Sequence, residues 1–155
     1  MTVKIINATP ADVSRMRPHF PRLADFKLPP KRESHHFWKD DAKLLSTWAT
    51  GEMPDLLVQI AEDEMGSLLG FTMTRMGEEF LSHKPSAHLE VLIVAKGAEG
   101  KGVGKQLIAA AEENAQSHGA TSITLHVIAT NEKARGLYTH LGYSEEIIRN
   151  IKHFD

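Results

Sequence analysis

A glycine-rich stretch in the second half of the chain has the residue types of an anion-binding loop. Gly100, Gly102 and Gly104 follow the apolar run 91–95 and precede apolar residues at helical spacing, which predicts a buried strand, a turn and a helix. Bare glycine backbone lets main-chain N–H groups approach a ligand, and a helix start adds unpaired donors and positive dipole character. By itself, the same spacing also fits a loop that only makes a tight turn.

Two familiar nucleotide-binding motifs do not fit this loop. A P-loop ending in Gly104 and Lys105 would need a glycine at 99, where Glu99 stands, and a Ser or Thr in place of Gln106. A dinucleotide-binding fingerprint would need a third glycine at Lys105 or Leu107 and an acidic residue ending the next strand, and neither is present. The loop therefore predicts a phosphorylated ligand of another kind.

Three polar side chains near the loop could do acid–base chemistry. His88 and Glu90 stand two apart on the predicted strand, so they should share one face, which Leu92 and Val94 continue. A polar pair at the exposed start of a strand is an equally good interpretation. The third, Tyr138, lies on a predicted helix with apolar residues at i, i+3, i+4 and i+7, so core packing alone would explain it.

Hydrophobic periodicity predicts the elements that position these groups. Strands are predicted at 3–6, 56–62, 67–76, 87–95, 121–128 and 143–153, and helices at 10–17, 37–50, 102–118 and 132–141. Asn131 is a typical N-cap for the last helix. The order predicts an α/β (α+β mixed) fold, with a sheet that is antiparallel in its first half and a right-handed parallel crossover through the glycine loop.

Composition bounds the class of protein. The 155 residues suit a single domain, 1–155, and a net charge of −2 gives no reason to expect a nucleic-acid or membrane partner. The absence of cysteine excludes disulfides and cysteine nucleophiles. No apolar run has the length of a membrane span or a signal peptide, which predicts a cytoplasmic protein. His35 and His36 are adjacent, so they cannot share a face, and no metal site is predicted.

The segments 90–108 and 125–143 together resemble the GNAT superfamily of acetyl-coenzyme A-dependent N-acetyltransferases. The second segment reads Leu-x-Val and then Asn-x-x-Ala-x-x-Leu-Tyr-x-x-x-Gly-Tyr, and the likeness covers roughly residues 56–153. In the family pattern Gln/Arg-x-x-Gly-x-Gly/Ala, Gly102 and Gly104 match, while Glu99 replaces the Gln or Arg. The resemblance implies a GNAT-like fold with a central mixed, mostly antiparallel sheet of about six to seven strands and about four helices.

The resemblance also implies acetyl-coenzyme A as the acyl donor, with its pyrophosphate on backbone amides of the loop. The implied cofactor-binding residues are Leu92, Ile93, Val94, Gly100, Lys101, Gly102, Val103, Gly104, Lys105, Asn131, Ala134 and Tyr138. A carboxylate at Glu99 should reduce affinity unless it points away or pairs with a cation such as Lys101 or Lys105.

Direct acetyl transfer to a primary amine of a small molecule or a peptide is the implied reaction. An amine of pKa about 10.4 is neutral only about one part in a thousand at pH 7, so a base is useful. The resemblance favours Glu90 as that base, with His88 orienting water or substrate, and Tyr138 as the acid for the leaving thiolate. An N–H near Leu92 to Val94 would hold the oxyanion if the strand is splayed from its neighbour.

One alternative keeps the fold without the activity. A non-catalytic acyl-coenzyme A sensor or interaction module stays open because of Glu99 and because the base is not fixed. The acceptor, the acyl chain and the oligomeric state, a homodimer included, are not defined by the sequence.

Overall fold

A five-stranded sheet forms the centre of the structure, a computed structural model that describes residues 2–155. Its strands are β1 (Lys4–Asn7), β2 (Leu56–Glu62), β3 (Leu68–Glu78), β4 (Pro85–Val94) and β5 (Ile123–Leu125). They lie in that order across the sheet, with antiparallel pairing from β1 to β4 and a parallel pairing between β4 and β5. The predicted mixed sheet and its parallel connection at the glycine loop are confirmed.

Four α-helices cover the sheet, as predicted. They are α1 (Val13–Met16), α2 (Lys39–Ala49), α3 (Val103–Ser117) and α4 (Glu132–His140), and short 3-10 segments lie at Pro10–Asp12, Arg17–Ala24, Ser34–Phe37 and Lys96–Ala98. The predicted helix 10–17 is broken up because Pro18 and Pro21 lack the N–H groups that an α-helical ladder needs. Within residues 2–155, none of the helices is both long and apolar enough to cross a lipid bilayer.

The strand predicted at 143–153 is wrong, so the sheet has five strands rather than six to seven. Residues 144–155 are exposed and form neither helix nor strand. One reason is that β5 has only three residues, which leaves a short outer edge for another strand to pair with. Another is that Ile147, Ile148 and Ile151 do not alternate with polar residues, as a strand with one buried face would require.

Buried apolar side chains fill both faces of the sheet. On one face, Phe71, Met73 and Val91 pack with residues of α1, α2 and the segment Arg17–Ala24. On the other face, α3 packs against the sheet through fully buried side chains, including those of Leu107 and Ile108. The glycine loop thus connects the edge of the sheet to a helix that is anchored along most of its length.

Gly70 on β3 brings β4 and α3 unusually close. A Cβ atom at this position would lie 2.5 Å from the carbonyl oxygen of Ile93 and 3.1 Å from a methyl group of Leu107. Only a residue without a side chain fits there. This packing holds the end of β4 next to α3, where the glycine loop begins.

Replacing Gly70 with alanine should destabilise the fold, because the new methyl group would overlap the backbone of β4. We expect Gly70→Ala to lower the free energy of unfolding by about 2–3 kcal/mol, a typical cost of overpacking. The control is Gly77→Ala on the same strand, where the new Cβ meets no atom within 4 Å, so the change should stay below about 0.5 kcal/mol. Urea unfolding measures both, and equal stabilities would contradict the close approach.

Candidate functional site

A β-bulge interrupts β4 at Glu90. Met73 of β3 pairs with Val91 and Thr74 pairs with Leu89, so Glu90 has no partner on β3. An extra residue bends a strand and changes the direction in which its side chains point. Leu89 accordingly packs with Ile108 on the α3 side of the sheet, whereas Val91 belongs to the core on the opposite side.

The bulge corrects the prediction that His88, Glu90, Leu92 and Val94 share one face. Leu92 and Val94 pack against the cluster under α3. Oε1 of Glu90 instead lies 3.7 Å from Nε of Arg75 on β3, the residue that pairs with His88. The negative charge of Glu90 also helps to raise the pKa of Asp41 on α2. His88 and Glu90 therefore stay close together, but on the opposite face of the sheet from Leu92 and Val94.

Within residues 2–155, β4 has no hydrogen-bonded strand on its β5 side beyond the bulge, and we call this unpaired edge the gap. The two strands pair only from Ala87 to Leu89, and β4 then continues to Val94 beside β3 alone. The Ala95 N–H donates to Leu69 at 2.8 Å, so the alternation of an antiparallel ladder turns the N–H and C=O groups of Leu92 and Val94 toward the gap. The same alternation turns the Ile93 backbone groups toward β3.

The glycine loop lies at the end of this gap. Gly100 and Gly102 have left-handed backbone angles, with φ of 74° and 78°, and Gly102 is the N-cap of α3. A Cβ on Gly104 would lie 3.6 Å from the side chain of Val94, which places the first turn of α3 beside the end of β4. The N–H groups of residues 103–105 have no acceptor within the helix, as at any helix start, and they can bind an anion.

Glu99, at the entrance to the loop, pairs with Arg22 rather than with a neighbouring lysine. The Arg22 guanidinium contacts Glu99 through Nη2 and Asp25 through Nη1, and its Nε donates to the Val94 carbonyl at 3.2 Å. Lys101 and Lys105 are exposed, and neither forms an ion pair within residues 2–155. Glu99 therefore pairs with a cation, as one of the two conditions considered from the sequence required, but that cation is Arg22 from a distant segment and neither of the lysines given as examples.

The His88 side chain contacts polar side chains of β5 and of the residues that follow β5. Its Nδ1 lies 2.8 Å from the Thr124 hydroxyl, and its ring packs edge-on against His126 with the centroids 4.7 Å apart. Burial lowers the pKa of His88 below its usual 6.5, and the charges of His126 and Arg75 lower it further, while Glu90 opposes them. A neutral imidazole at pH 7, able to accept a proton, is the result.

Asp41 adds a second carboxylate beside Glu90. Burial raises the pKa of Asp41 to about 6, and the negative charges of Glu90 and Asp40 contribute. Asp41 lies in the first turn of α2, and nothing in the family motif points to it. Together with Arg75, these carboxylates give the α2 side of the bulge a cluster of charged groups.

Tyr138 is part of the apolar cluster on the α3 side and is half-buried. It packs with Leu89 and Ile108, and its ring meets Tyr143 with the centroids 5.7 Å apart. Its hydroxyl makes no hydrogen bond within residues 2–155. Burial raises the pKa of Tyr138 above 10, so the phenol keeps its proton at neutral pH.

The remaining predicted cofactor contacts differ in which of their groups are free to contact a ligand. The Asn131 side chain accepts the Ala134 N–H at 3.2 Å, so Asn131 is the N-cap of α4 and this Ala134 donor is already used. The Val103 side chain is buried in the core, which leaves only its backbone for a ligand. Lys101 and Lys105 are exposed at the loop.

Four further polar residues of the site were missed in the sequence: Arg22, Asp41, Arg75 and His126. Two of them lie in the first 50 residues, where no motif was recognised. His126 could have been found, because it follows Thr124 by two positions, directly after the strand that pairs with His88. Arg22 and Asp41 offered no local signal, since their partners lie far away in the chain.

The adjacent histidines lie close to the carboxylate of Glu33, although no such partner was expected from the sequence. Ligand atoms of Glu33, His35 and His36 lie within 4.8 Å of one another, and all three residues are exposed. The His36 Nδ1 accepts the Glu33 N–H at 2.9 Å, which uses one of its two nitrogens. An exposed cluster of this kind does not define a metal site, and the absence of a metal stays a prediction.

Comparison with known proteins identifies acetyltransferases among the relatives of this chain. The model of the acetyltransferase (GNAT) family matches residues 20–143. A mycothiol acetyltransferase of Renibacterium salmoninarum is 35% identical over 85 residues, which are 55% of this chain and 25% of that protein. N-acetyltransferase YhfO of Bacillus subtilis, uncharacterized, is 37% identical over 95 residues, 61% of this chain and 63% of that protein. The chain thus matches about a quarter of the mycothiol enzyme's length.

Solved structures share the fold at low sequence identity. A ribosomal-protein-alanine N-acetyltransferase from Brucella melitensis has a TM-score of 0.71 and 19% identity, over 99% of this chain and 100% of that chain. AAC(6')-Iy, in complex with the bisubstrate analog CoA-S-monomethyl-acetylneamine, has the same TM-score, identity and coverage. At this identity the likeness establishes the fold alone.

Asp41→Asn should stabilise the protein at high pH. The folded pKa of about 6 lies above the ordinary 3.8, so the cost of the charged carboxylate is absent below pH 3.8, grows as the pH rises and is complete above pH 6. After allowance for solvent screening, we expect a gain of about 1 kcal/mol at about pH 8 and a smaller one at about pH 4.5.

Urea unfolding at the two pH values measures this gain. The exposed neighbour supplies a matched control, since Asp40→Asn removes the same charge from the same helical turn and should gain less. Equal stability of Asp41→Asn and the parent at the higher pH would rule out a buried, disfavoured carboxylate.

Proposed function

Because the chain belongs to the acetyltransferase (GNAT) family, we propose that it transfers acetyl from acetyl-coenzyme A directly to a primary amine of a small molecule or a peptide. The observation that carries this proposal is the gap between β4 and β5, with the glycine-rich start of α3 at its end. Outward backbone groups of Leu92 and Val94 line the gap, and free N–H groups of residues 103–105 close it.

The loop suits the pyrophosphate of coenzyme A. A Cβ on Gly100 or Gly102 would meet no atom within 4 Å, so the space above these glycines is open to a ligand. The exposed Lys101 and Lys105 add positive charge near the same backbone donors. Acetyl-coenzyme A, when bound, supplies the acetyl group as a thioester.

Glu90 and His88 are the proposed base and its helper. An ammonium acceptor must lose a proton before its nitrogen can form a bond to the acetyl carbon. Glu90 accepts that proton directly or through water, and the neutral His88 orients the water or the amine. The bulge supports this assignment, because it removes Glu90 from the β3 ladder and turns it toward Asp41 and Arg75.

Backbone N–H groups and Tyr138 complete the proposed chemistry. The outward N–H of Leu92 or Val94 donates to the carbonyl oxygen as negative charge develops there. The bond from nitrogen to the acetyl carbon forms while the carbon–sulfur bond breaks, and the Tyr138 hydroxyl gives its proton to the departing sulfur. Its raised pKa and its lack of another hydrogen-bond partner within residues 2–155 support this role.

The α2 side of the bulge favours a cationic acceptor. Asp41 and Glu90 place two carboxylates there, and a protonated amine would relieve their mutual repulsion. The names of similar proteins suggest acceptors to try: a peptide with N-terminal alanine and an aminoglycoside such as neamine.

Two measurements test the proposed function. We expect coenzyme A to bind at micromolar concentration by calorimetry, and thiol to be released from acetyl-coenzyme A when an accepted amine is added. Tight binding without turnover on a broad amine panel would instead favour the non-catalytic sensor. Absence of coenzyme A binding would refute both functions.

Tyr138→Phe should slow turnover more than it weakens binding. Loss of a general acid costs about 10²–10⁴-fold in kcat, whereas the ring that packs in the core is retained. Tyr143→Phe is the matched control, since Tyr143 packs against Tyr138 but donates its hydroxyl to Glu112 at 2.6 Å. A control variant as slow as Tyr138→Phe would show that disturbance of this aromatic pair, and not loss of the Tyr138 proton, explains the effect.

A further inference from the structure

Arg22 joins the first part of the chain to the candidate cofactor loop. It lies in the 3-10 segment Arg17–Ala24, which packs near β4, and its side chain is only 18% exposed. Its Nε donates to the Val94 carbonyl at the end of the gap, and its two terminal nitrogens contact Glu99 and Asp25. Three acceptors therefore hold the guanidinium in one orientation.

The charge at the loop depends on this contact. Glu99 is 40% exposed and directly precedes Gly100, so it lies at the start of the loop that would receive a phosphate. A free carboxylate there would repel the ligand, whereas an arginine within contact distance cancels its charge locally. Within residues 2–155, no second cation forms an ion pair with Glu99.

We propose that Arg22 is a positioning residue for coenzyme A. It holds the Glu99 carboxylate away from the phosphate-binding backbone and neutralises it, so that the loop can bind an anion despite its acidic residue. This inference rests on the proposed function, because it concerns the affinity of the same loop. The cation thus comes from the segment before α2 and not from the loop itself.

The test is a double-mutant cycle read by calorimetry with coenzyme A. We expect Arg22→Ala to weaken binding about tenfold, because it exposes the Glu99 charge to the phosphates. Glu99→Gln alone should not weaken binding. In the double variant Arg22→Ala/Glu99→Gln, affinity should return to within about threefold of the parent, since the charge that Arg22 cancels is gone.

Three comparisons separate this effect from a structural one. Arg22→Gln keeps a donor for the Val94 carbonyl and should show the same loss and the same rescue, even if Arg22→Ala folds poorly. Arg17→Ala removes a charge from the same segment, where Arg17 binds Ser46 at 2.8 Å, and should leave affinity unchanged. Added salt should shrink the loss in Arg22→Ala, because exposed charges are screened.

The outcomes are distinguishable. Loss of affinity without rescue by Glu99→Gln would overturn the inference, because Arg22 would then act on the ligand or on the loop shape. Unchanged affinity in Arg22→Ala and Arg22→Gln would overturn it as well. If the parent protein itself binds no coenzyme A, the proposed function falls, and this inference falls with it.

Discussion

The requirement that β4 pair with β3 along its length, but with β5 over only three residues, shapes the whole candidate site. Because hydrogen bonding to β5 ends at Leu89, the backbone groups of Leu92 and Val94 face a gap rather than a strand. The packing of Gly70 against β4 and α3 keeps the far end of this gap fixed. The glycine loop then needs only to start a helix at that point.

The sequence predicted the parts of this arrangement that depend on local periodicity. The strand predicted at 56–62 and the helix predicted at 102–118, which the structure has at Leu56–Glu62 and Val103–Ser117, follow from residues close to one another in the chain. The bulge at Glu90 could not be predicted, since it is a property of pairing with β3 and the residues on either side of Glu90 continue the pattern of an ordinary strand. The prediction of a last strand at 143–153 was wrong for a related reason, because the edge of β5 with which that strand would pair is too short.

The charge pairs of the site could also not be predicted from residues that are neighbours in the sequence. Asp41, Arg75 and Glu90 come from three different elements, and the partner of Glu99 lies 77 positions away in the chain. Each of these charged residues, seen alone in the sequence, would fit an ordinary solvated surface. Their meaning depends on which segments the fold brings together, and the first 50 residues supply two of the decisive side chains.

The bulge also makes the faces of β4 depend on the number of residues in the strand. Leu89 and Val91 point to opposite sides of the sheet, although they are two positions apart, because the extra residue Glu90 lies between them while their partners on β3, Thr74 and Met73, are consecutive. Without Glu90, Leu89 and Val91 would be consecutive residues of a regular strand, still opposite Thr74 and Met73, and both would keep the faces that they have now. A single-residue insertion or deletion elsewhere in this ten-residue strand would instead shift one part of it by one position and turn its side chains to the opposite layer, so such changes should be tolerated far less than substitutions.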